Sequence, residues 1–181
     1  MVVDMVIGYR QFINEDYQKT VTAYKLFRTS KKHPGKLFPL FIGKNKPVEQ
    51  NKWVDAENQP TKGFASRPGW HAGSEPNAPH LRNKQNRIAA DRVWAKVSMP
   101  ADKDYNPEAK ASKTRDIRGH VPTGGHYTFN TSKKQGKKWL IGGSLKVDKV
   151  MSDRDVFRHH MKSGDKEAAR SEVNWKNWRR T

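Results

Sequence analysis

The chain has no cysteine among its 181 residues. This excludes disulfide bonds, thiolate zinc sites and cysteine nucleophiles, and it fits a cytoplasmic setting in a host cell or the interior of a virion. Long apolar runs are also missing, since the apolar start at residues 1–8 is interrupted by Asp4 and is far shorter than the ~20 residues of a membrane span. A basic start and cleavage site typical of a secretory signal are absent too. We therefore expect a soluble protein with no membrane partner.

Apolar residues are scarce, at 34% of the chain, compared with roughly 45–50% in an ordinary globular domain. Six Trp, seven Phe and five Tyr offset this scarcity, because each aromatic ring buries a large area. The length suits one domain and is short for two. We expect one modest, aromatic-rich core with highly charged loops.

Acidic residues are scarce as well, with 18 against 36 Lys and Arg, which gives a formal charge of +18 and a pI of about 10.2. A protein with this charge attracts polyanions, and a domain pI above ~9 is typical of nucleic-acid binding. The composition predicts DNA, RNA or an acidic protein surface as the partner.

The common cofactor and catalytic motifs are missing. The sequence has neither a phosphate-binding Gly-rich motif of the Walker A or Gly-x-Gly-x-x-Gly type nor the Gly-x-Ser-x-Gly of serine hydrolases. No helix-turn-helix or zinc-finger pattern is present, so no sequence-specific reading of nucleic acid is expected. None of the seven histidines sits in a His-x-x-x-His pair, and adjacent His159 and His160 point to different helix faces. We therefore predict no metal site and no cofactor.

Apolar periodicity predicts several short strands and a helical end. Residues 92–99 alternate between two faces, and residues 20–28 alternate with apolar side chains on both faces. Residues 29–36 and 43–47 are expected to form basic turns. Further strands are predicted at residues 37–42, 47–56, 126–129, 139–141 and 144–150, with a hinge at Gly142 and Gly143 between the last two. Residues 100–118 are expected to be a long polar excursion.

A capping box at residues 152–155 predicts a helix start, and a second helix is predicted over residues 167–179. The fold class is therefore α+β: a single domain of mainly antiparallel short strands in one or two small sheets, with one or more C-terminal helices. We divide the chain into an N-terminal arm or strand (residues 1–20), a β-rich core (residues 21–151) and a C-terminal helical segment with a basic tail (residues 152–181).

Residues 62–71 combine aromatic rings, a hydroxyl, a guanidinium, two glycines and a proline. Glycine permits unusual backbone angles and proline restricts its own, so the segment is able to hold Ser66, Arg67 and His71 in one place. One interpretation is a binding or catalytic loop, with Arg28, Ser66 and His71 as catalytic candidates. The other is a tight turn between two strands whose aromatic rings lie in the core.

Basic residues interleaved with aromatic rings are typical of phosphate contact and base stacking. The alternative role for the C-terminal tryptophans is to hold the last helix against the core. The predicted phosphate or nucleic-acid contacts are Arg28, Arg67, Lys137, Lys138, Trp175, Trp178, Arg179 and Arg180.

Five segments resemble a family of uncharacterised proteins encoded by gut-bacterial phages and mobile elements. The resembling segments are residues 24–28, 35–41, 64–73, 93–95 and 139–147. This resemblance implies a phage origin but carries no activity.

The order of three positions is also similar to ADP-ribosyltransferases of the Arg–Ser–Glu type. Arg28 resembles the early-strand arginine and Ser66 the mid-chain serine, whereas Lys137 and Lys138 stand where that family has its glutamate. The resemblance implies NAD as the cofactor, and the missing glutamate implies that the activity is lost.

Three functions follow from these observations. The leading one is a phage-encoded, non-enzymatic basic domain that binds nucleic acid or another phosphate-rich partner without sequence specificity. The second is an ADP-ribosyltransferase-like enzyme or an inactive relative. The third is a virion structural or assembly protein that contacts other virion proteins.

Overall fold

The structure, a computed structural model, describes residues 17–58, 67–117, 119–130, 138–175 and 178. Nine strands and three helices lie in these residues. The strands are β1 (Thr20–Ser30), β2 (His33–Phe38), β3 (Trp53–Asp55), β4 (Trp70–Gly73), β5 (Arg92–Pro100), β6 (Lys103–Asp104), β7 (Gly125–Asn130), β8 (Lys138–Gly142) and β9 (Ser144–Val150). The helices are α1 (Asn106–Ala111), α2 (Asp153–Ser163) and α3 (Lys166–Ser171), and a 3₁₀ turn covers Pro79–Leu81.

All nine strands belong to one sheet in the order β3-β9-β5-β1-β4-β8-β7-β6, with β2 added beside β1. Every pairing is antiparallel except the short one between β6 and β7. The predicted α+β class is confirmed, and the strands form one sheet. The longest helix of the described residues, α2, has 11 residues, and none of the helices there has the length and apolar character of a membrane span.

The centre of the sheet is the β1–β5 pair, in which nine consecutive residues of each strand are in register, from Thr20 opposite Pro100 to Arg28 opposite Arg92. The alternation predicted for both strands sends Phe27 to one core and Trp94 to another on the opposite face, where its side chain is buried. Because both faces are covered, this pair carries apolar residues on both of its faces.

The sheet curls because β8 runs directly into β9 through Gly143. A Cβ on this residue would lie 2.4 Å from the Pro122 carbonyl oxygen, so only glycine fits the close approach. β8 pairs with β4 and β7, whereas β9 pairs with β5 and β3. The predicted hinge is thus confirmed. The curl brings β3 to β4, where Trp70 Nε1 donates to Val54 O at 2.8 Å.

Helix α2 and the segment after α3 pack on the face of β1 and β5 that carries Leu26 and Trp94. The predicted capping box starts α2, with Ser152 and Asp155 exchanging side-chain and backbone hydrogen bonds, and Gly164 ends it at φ 77°. After α3, the fully buried Glu172 accepts from Arg82 Nε at 2.8 Å and from Trp94 Nε1 at 3.2 Å. Burial raises the pKa of the Glu172 carboxyl, although Arg82 acts in the opposite direction.

Several elements differ from the prediction. The expected turn at residues 29–36 contains most of β2, which ends at Phe38 and not at residue 42. β2 pairs only with β1 and lies off the main strand order. Such an outer strand tolerates a proline, here Pro34. Gly35 adopts φ 77° at the point where the pairing register between β1 and β2 shifts. The polar residues 100–118 contain β6 and α1, and the second C-terminal helix is only the short α3.

Candidate nucleic-acid interface

One surface concentrates positive charge: the end of β1, the whole of β2 and the loop after it, residues 28–46, which we call the basic lobe. The lobe contains six Lys or Arg residues and no Asp or Glu. Five of its cations are lysines with exposed side chains, Lys31, Lys32, Lys36, Lys44 and Lys46. The predicted basic turns at residues 29–36 and 43–47 are therefore parts of one surface.

Arg28 holds the lobe together. Its Nη2 donates to the Lys44 carbonyl oxygen at 3.0 Å, and its Cζ lies 5.1 Å from the centre of the Phe38 ring. The Val48 N–H donates to Leu37 O at 2.8 Å, so the loop returns to β2 at its far end as well. Arg28, predicted as a phosphate contact, is half-buried and positions the loop that carries Lys44.

The loop of the basic lobe also exposes apolar side chains. Phe41 is 67% exposed and Ile42 is 43% exposed, values that are unusual for large apolar residues. Phe41 contributes to a depression whose wall is otherwise formed by Leu26, Leu40, Leu81 and Arg92. An exposed ring among lysines is the combination that single-stranded nucleic acid uses, with phosphates on the cations and a base on the ring.

Two ion pairs border the lobe. Lys46 Nζ lies 2.7 Å from Glu57 Oε1, and Arg92 Nε lies 3.3 Å from Asp91 Oδ1. The Lys46–Glu57 pair is largely exposed and the Arg92–Asp91 pair partly so, and exposed pairs are weak. These acids therefore reduce the charge at the border of the lobe, and Lys36 interacts electrostatically with Glu49. Lys31 and Lys32 at the hairpin form no ion pair with another described residue.

Arg67, predicted as a phosphate contact, is used inside the protein. Its Nε donates to Asp116 Oδ2 at 2.9 Å, and the Asp116 side chain is fully buried. The guanidinium also lies 4.1 Å from the centre of the Phe129 ring. A phosphate would have to compete with a buried carboxylate for this group, so Arg67 fits a structural role.

His71 lies in β4 and its ring Nε2–H donates to the Arg67 carbonyl oxygen at 2.9 Å. Burial lowers the pKa of this imidazole, and the positive charges of Lys25 and Arg67 act in the same direction. The ring therefore stays neutral near pH 7. It fixes the backbone at the start of β4, where the predicted loop meets the sheet.

Lys25 is a half-buried cation that the sequence signals only indirectly, by placing a lysine on the face of β1 that also carries Ala23 and Phe27. Its Nζ donates to His71 O at 2.7 Å and lies 5.4 Å from the centre of the Trp70 ring. Desolvation lowers the pKa of Lys25 to about 8.

The three catalytic candidates are only partly described. Ser66 lies outside the described residues. Arg28 binds the Lys44 carbonyl oxygen, and His71 binds the Arg67 carbonyl oxygen. Within the described residues, no hydrogen bond or ion pair joins Arg28 to His71. The transferase-like pocket stays a prediction.

The C-terminal tryptophans pack on α2. The ring of Trp178 lies 5.3 Å from that of Phe157 and 5.1 Å from that of Trp175, and Trp175 Nε1 donates to Arg170 O at 2.9 Å. These contacts agree with the alternative prediction, in which the tryptophans hold the last helix against the core. Lys138 begins β8 with an exposed side chain. The remaining predicted contacts, Lys137, Arg179 and Arg180, lie outside the described residues.

Sequence reasoning missed the lysines of the lobe and Phe41, although each stands in a segment that it recognised as basic or apolar. The likeness to phage-encoded proteins and the likeness to ADP-ribosyltransferases both stay predictions. Comparison with protein-family models, curated proteins and solved structures found no match to this chain.

Proposed function

We propose that this protein binds nucleic acid without sequence specificity, through the basic lobe and without chemical turnover. The observation that carries the proposal is the set of six cations and no acid in residues 28–46. The C-terminal helices, another strongly charged segment of the described chain, mix both signs. A polyanion approaching the molecule meets a field of net positive sign at the lobe.

The chemistry of the lobe favours phosphate over other anions. Lysine ammonium groups are flexible, hydrated point charges that neutralise phosphates without fixed geometry. Contacts of this kind carry no sequence information. Phe41 adds a platform on which an unpaired base stacks, for about 1–3 kcal/mol. The expected ligand is therefore single-stranded DNA or RNA in preference to a duplex.

The lobe contains few groups suited to catalysis. Its one histidine is His33, which is exposed, and no carboxylate lies within residues 28–46. General acid–base catalysis and metal catalysis both need such groups in place. This composition supports a binding role.

The test is fluorescence anisotropy with a labelled 20-nucleotide single strand at 50 to 300 mM salt. The triple variant Lys31→Gln/Lys32→Gln/Lys36→Gln is compared with the matched control Lys84→Gln/Lys110→Gln/Lys162→Gln, whose lysines are also exposed. The lobe variant should bind about 10- to 50-fold more weakly at 100 mM salt, and its salt slope should fall by about 2–3.

Both triple variants lose the same net charge, so the control measures the effect of charge alone. It should change the affinity less than about twofold. Equal losses in the two variants would show that charge is read diffusely over the surface. Absence of binding to single strands and duplexes of both DNA and RNA would reject the proposal.

A further inference from the structure

A cluster of three potential metal ligands lies away from the basic lobe, between the end of β4 and the helices. Glu75, His160 and Asp165 each offer one ligand atom, and these three atoms lie within 4.8 Å of one another. The residues are separated by up to 90 positions in sequence. Only the packing of α2 and α3 against the segment after β4 brings them together.

Local structure fixes each of the three positions. Gly73 permits the tight turn after β4, because a Cβ there would lie 2.8 Å from the Glu75 carbonyl oxygen. Gly164 reverses the chain between α2 and α3, and the Asp165 N–H donates to His160 O at 3.0 Å. The Asp165 carboxylate also accepts from the Ala168 N–H at the start of α3. The cluster is therefore built on rigid turns.

The His160 imidazole has the arrangement of a metal ligand. Its ring is completely buried, and Nε2 lies 2.9 Å from the Pro76 carbonyl oxygen. A carbonyl only accepts, so Nε2 carries the proton and Nδ1 presents its lone pair. Nδ1 has no hydrogen-bond partner among the described residues. A metal-bound histidine commonly donates its other N–H to a backbone carbonyl in this way.

The pairing of Pro76 with His160 is informative because Pro76 follows Glu75 directly. One short segment thus supplies a carboxylate to the cluster and the carbonyl that fixes the tautomer of the ring. Glu75 and Asp165 are half-buried, so solvent reaches the cluster from one side. Water is able to complete the coordination of a cation held there.

We propose that Glu75, His160 and Asp165 bind a divalent transition-metal ion, of which Zn²⁺ is the representative. One imidazole nitrogen and two carboxylate oxygens suit Zn²⁺ and its first-row neighbours, whereas Mg²⁺ and Ca²⁺ take oxygen ligands. The bound ion would join the segment after β4 to the α2–α3 turn. Its role is structural, and it is independent of nucleic-acid binding at the lobe.

Zinc binding to the untagged, EDTA-treated full chain tests this proposal. Isothermal titration should show one equivalent of Zn²⁺ bound, with Mg²⁺ and Ca²⁺ giving no signal. Because a ligand that binds only the folded state stabilises it, Zn²⁺ at 100 times its Kd should raise Tm by about 5–10 °C. Absence of both the binding heat and the Tm rise, with Zn²⁺, Co²⁺ and Mn²⁺ alike, overturns the proposal.

Variants locate the ion. Glu75→Gln and Asp165→Asn should each weaken Zn²⁺ binding at least tenfold, and asparagine keeps the cap of α3. Glu167→Gln, which changes an exposed carboxylate of the same helix pair, is the matched control and should leave the affinity unchanged. Wild-type affinity in the Glu75→Gln/Asp165→Asn double variant would place the zinc on other histidines and overturn the assignment.

Discussion

The basic lobe and the C-terminal helical segment are similar in size and opposite in their use of charge. Residues 28–46 contain six cations and no acid, whereas residues 152–175 contain five of each. The acids of the helical segment have internal partners: Asp155 completes a capping box, Asp153 accepts from the Asn174 N–H at 2.8 Å and Glu172 binds Arg82. Charge stabilises the fold in the helical segment and is left facing solvent in the lobe.

The largest expected effect is on stability, at the helical side of this comparison. Arg82→Met leaves the Glu172 carboxylate buried beside an apolar side chain. We expect a loss of about 3–5 kcal/mol in the free energy of unfolding, measured by urea denaturation. Arg87→Met, at an exposed position of the same loop, is the control and should stay within about 0.5 kcal/mol of wild type. Equal stability of the two variants would contradict a structural role for the buried pair.

The next effect is on binding, at the lobe. Lys31→Glu/Lys32→Glu should weaken single-strand binding about 100-fold at 100 mM salt and shift Tm by less than about 2 °C, because neither lysine has a buried partner to lose. Lys162→Glu/Lys166→Glu makes the same charge change in the helical segment. Anisotropy and thermal melting of both proteins measure the difference. A loss of affinity as large in the helical variant would remove the distinction between the two regions.

Lys25 stands between the two cases: it is half-buried on the same strand as Arg28, and its ammonium group is desolvated. Its folded pKa of about 8 lies below the ordinary value of 10.5, so between these pH values the unfolded chain binds more protons and stability rises with pH. Lys25→Met should remove this rise and increase the free energy of unfolding at pH 7 by about 1–2 kcal/mol. This gain is the relieved desolvation of the charge minus one lost hydrogen bond. Urea titrations from pH 7 to 10.5 measure it. If the stability of Lys25→Met keeps the pH dependence of wild type, the rise does not come from Lys25.

The smallest effect is expected at the start of α2. Ser152→Ala removes the side chain that accepts from the Asp155 N–H and should cost about 1 kcal/mol. Ser30→Ala, at the end of β1 in the lobe, should cost less than about 0.5 kcal/mol. Urea denaturation of the pair compares them. Equal costs would mean that the cap adds nothing beyond an ordinary serine.

Sequence reasoning succeeded where the deciding physics is local. The alternation of β5 and the capping box before α2 each depend on neighbours within a few residues. The glycine pair between β8 and β9 is also visible in the sequence, although the contact that requires Gly143 is with the distant Pro122. The α+β class follows from these elements together.

Reasoning failed where the deciding contact is distant. The predicted turn at residues 29–36 is wrong for most of β2. Pro34 and Gly35 favour a turn locally, and only pairing with β1 makes them part of a strand. Arg67 looked free for phosphate, but Asp116 lies 49 residues away. The basic lobe itself depends on Arg28 reaching the carbonyl of Lys44, a contact that no periodicity signals.

The strand bent at Gly143 has a consequence for how the molecule opens. One continuous backbone supplies hydrogen bonds to β7 and β4 on one side of the bend and to β5 and β3 on the other. Neither half of the sheet is able to separate while the other keeps this strand in place. Slow amide exchange in β5 and β8 should therefore share a single opening reaction and one protection factor.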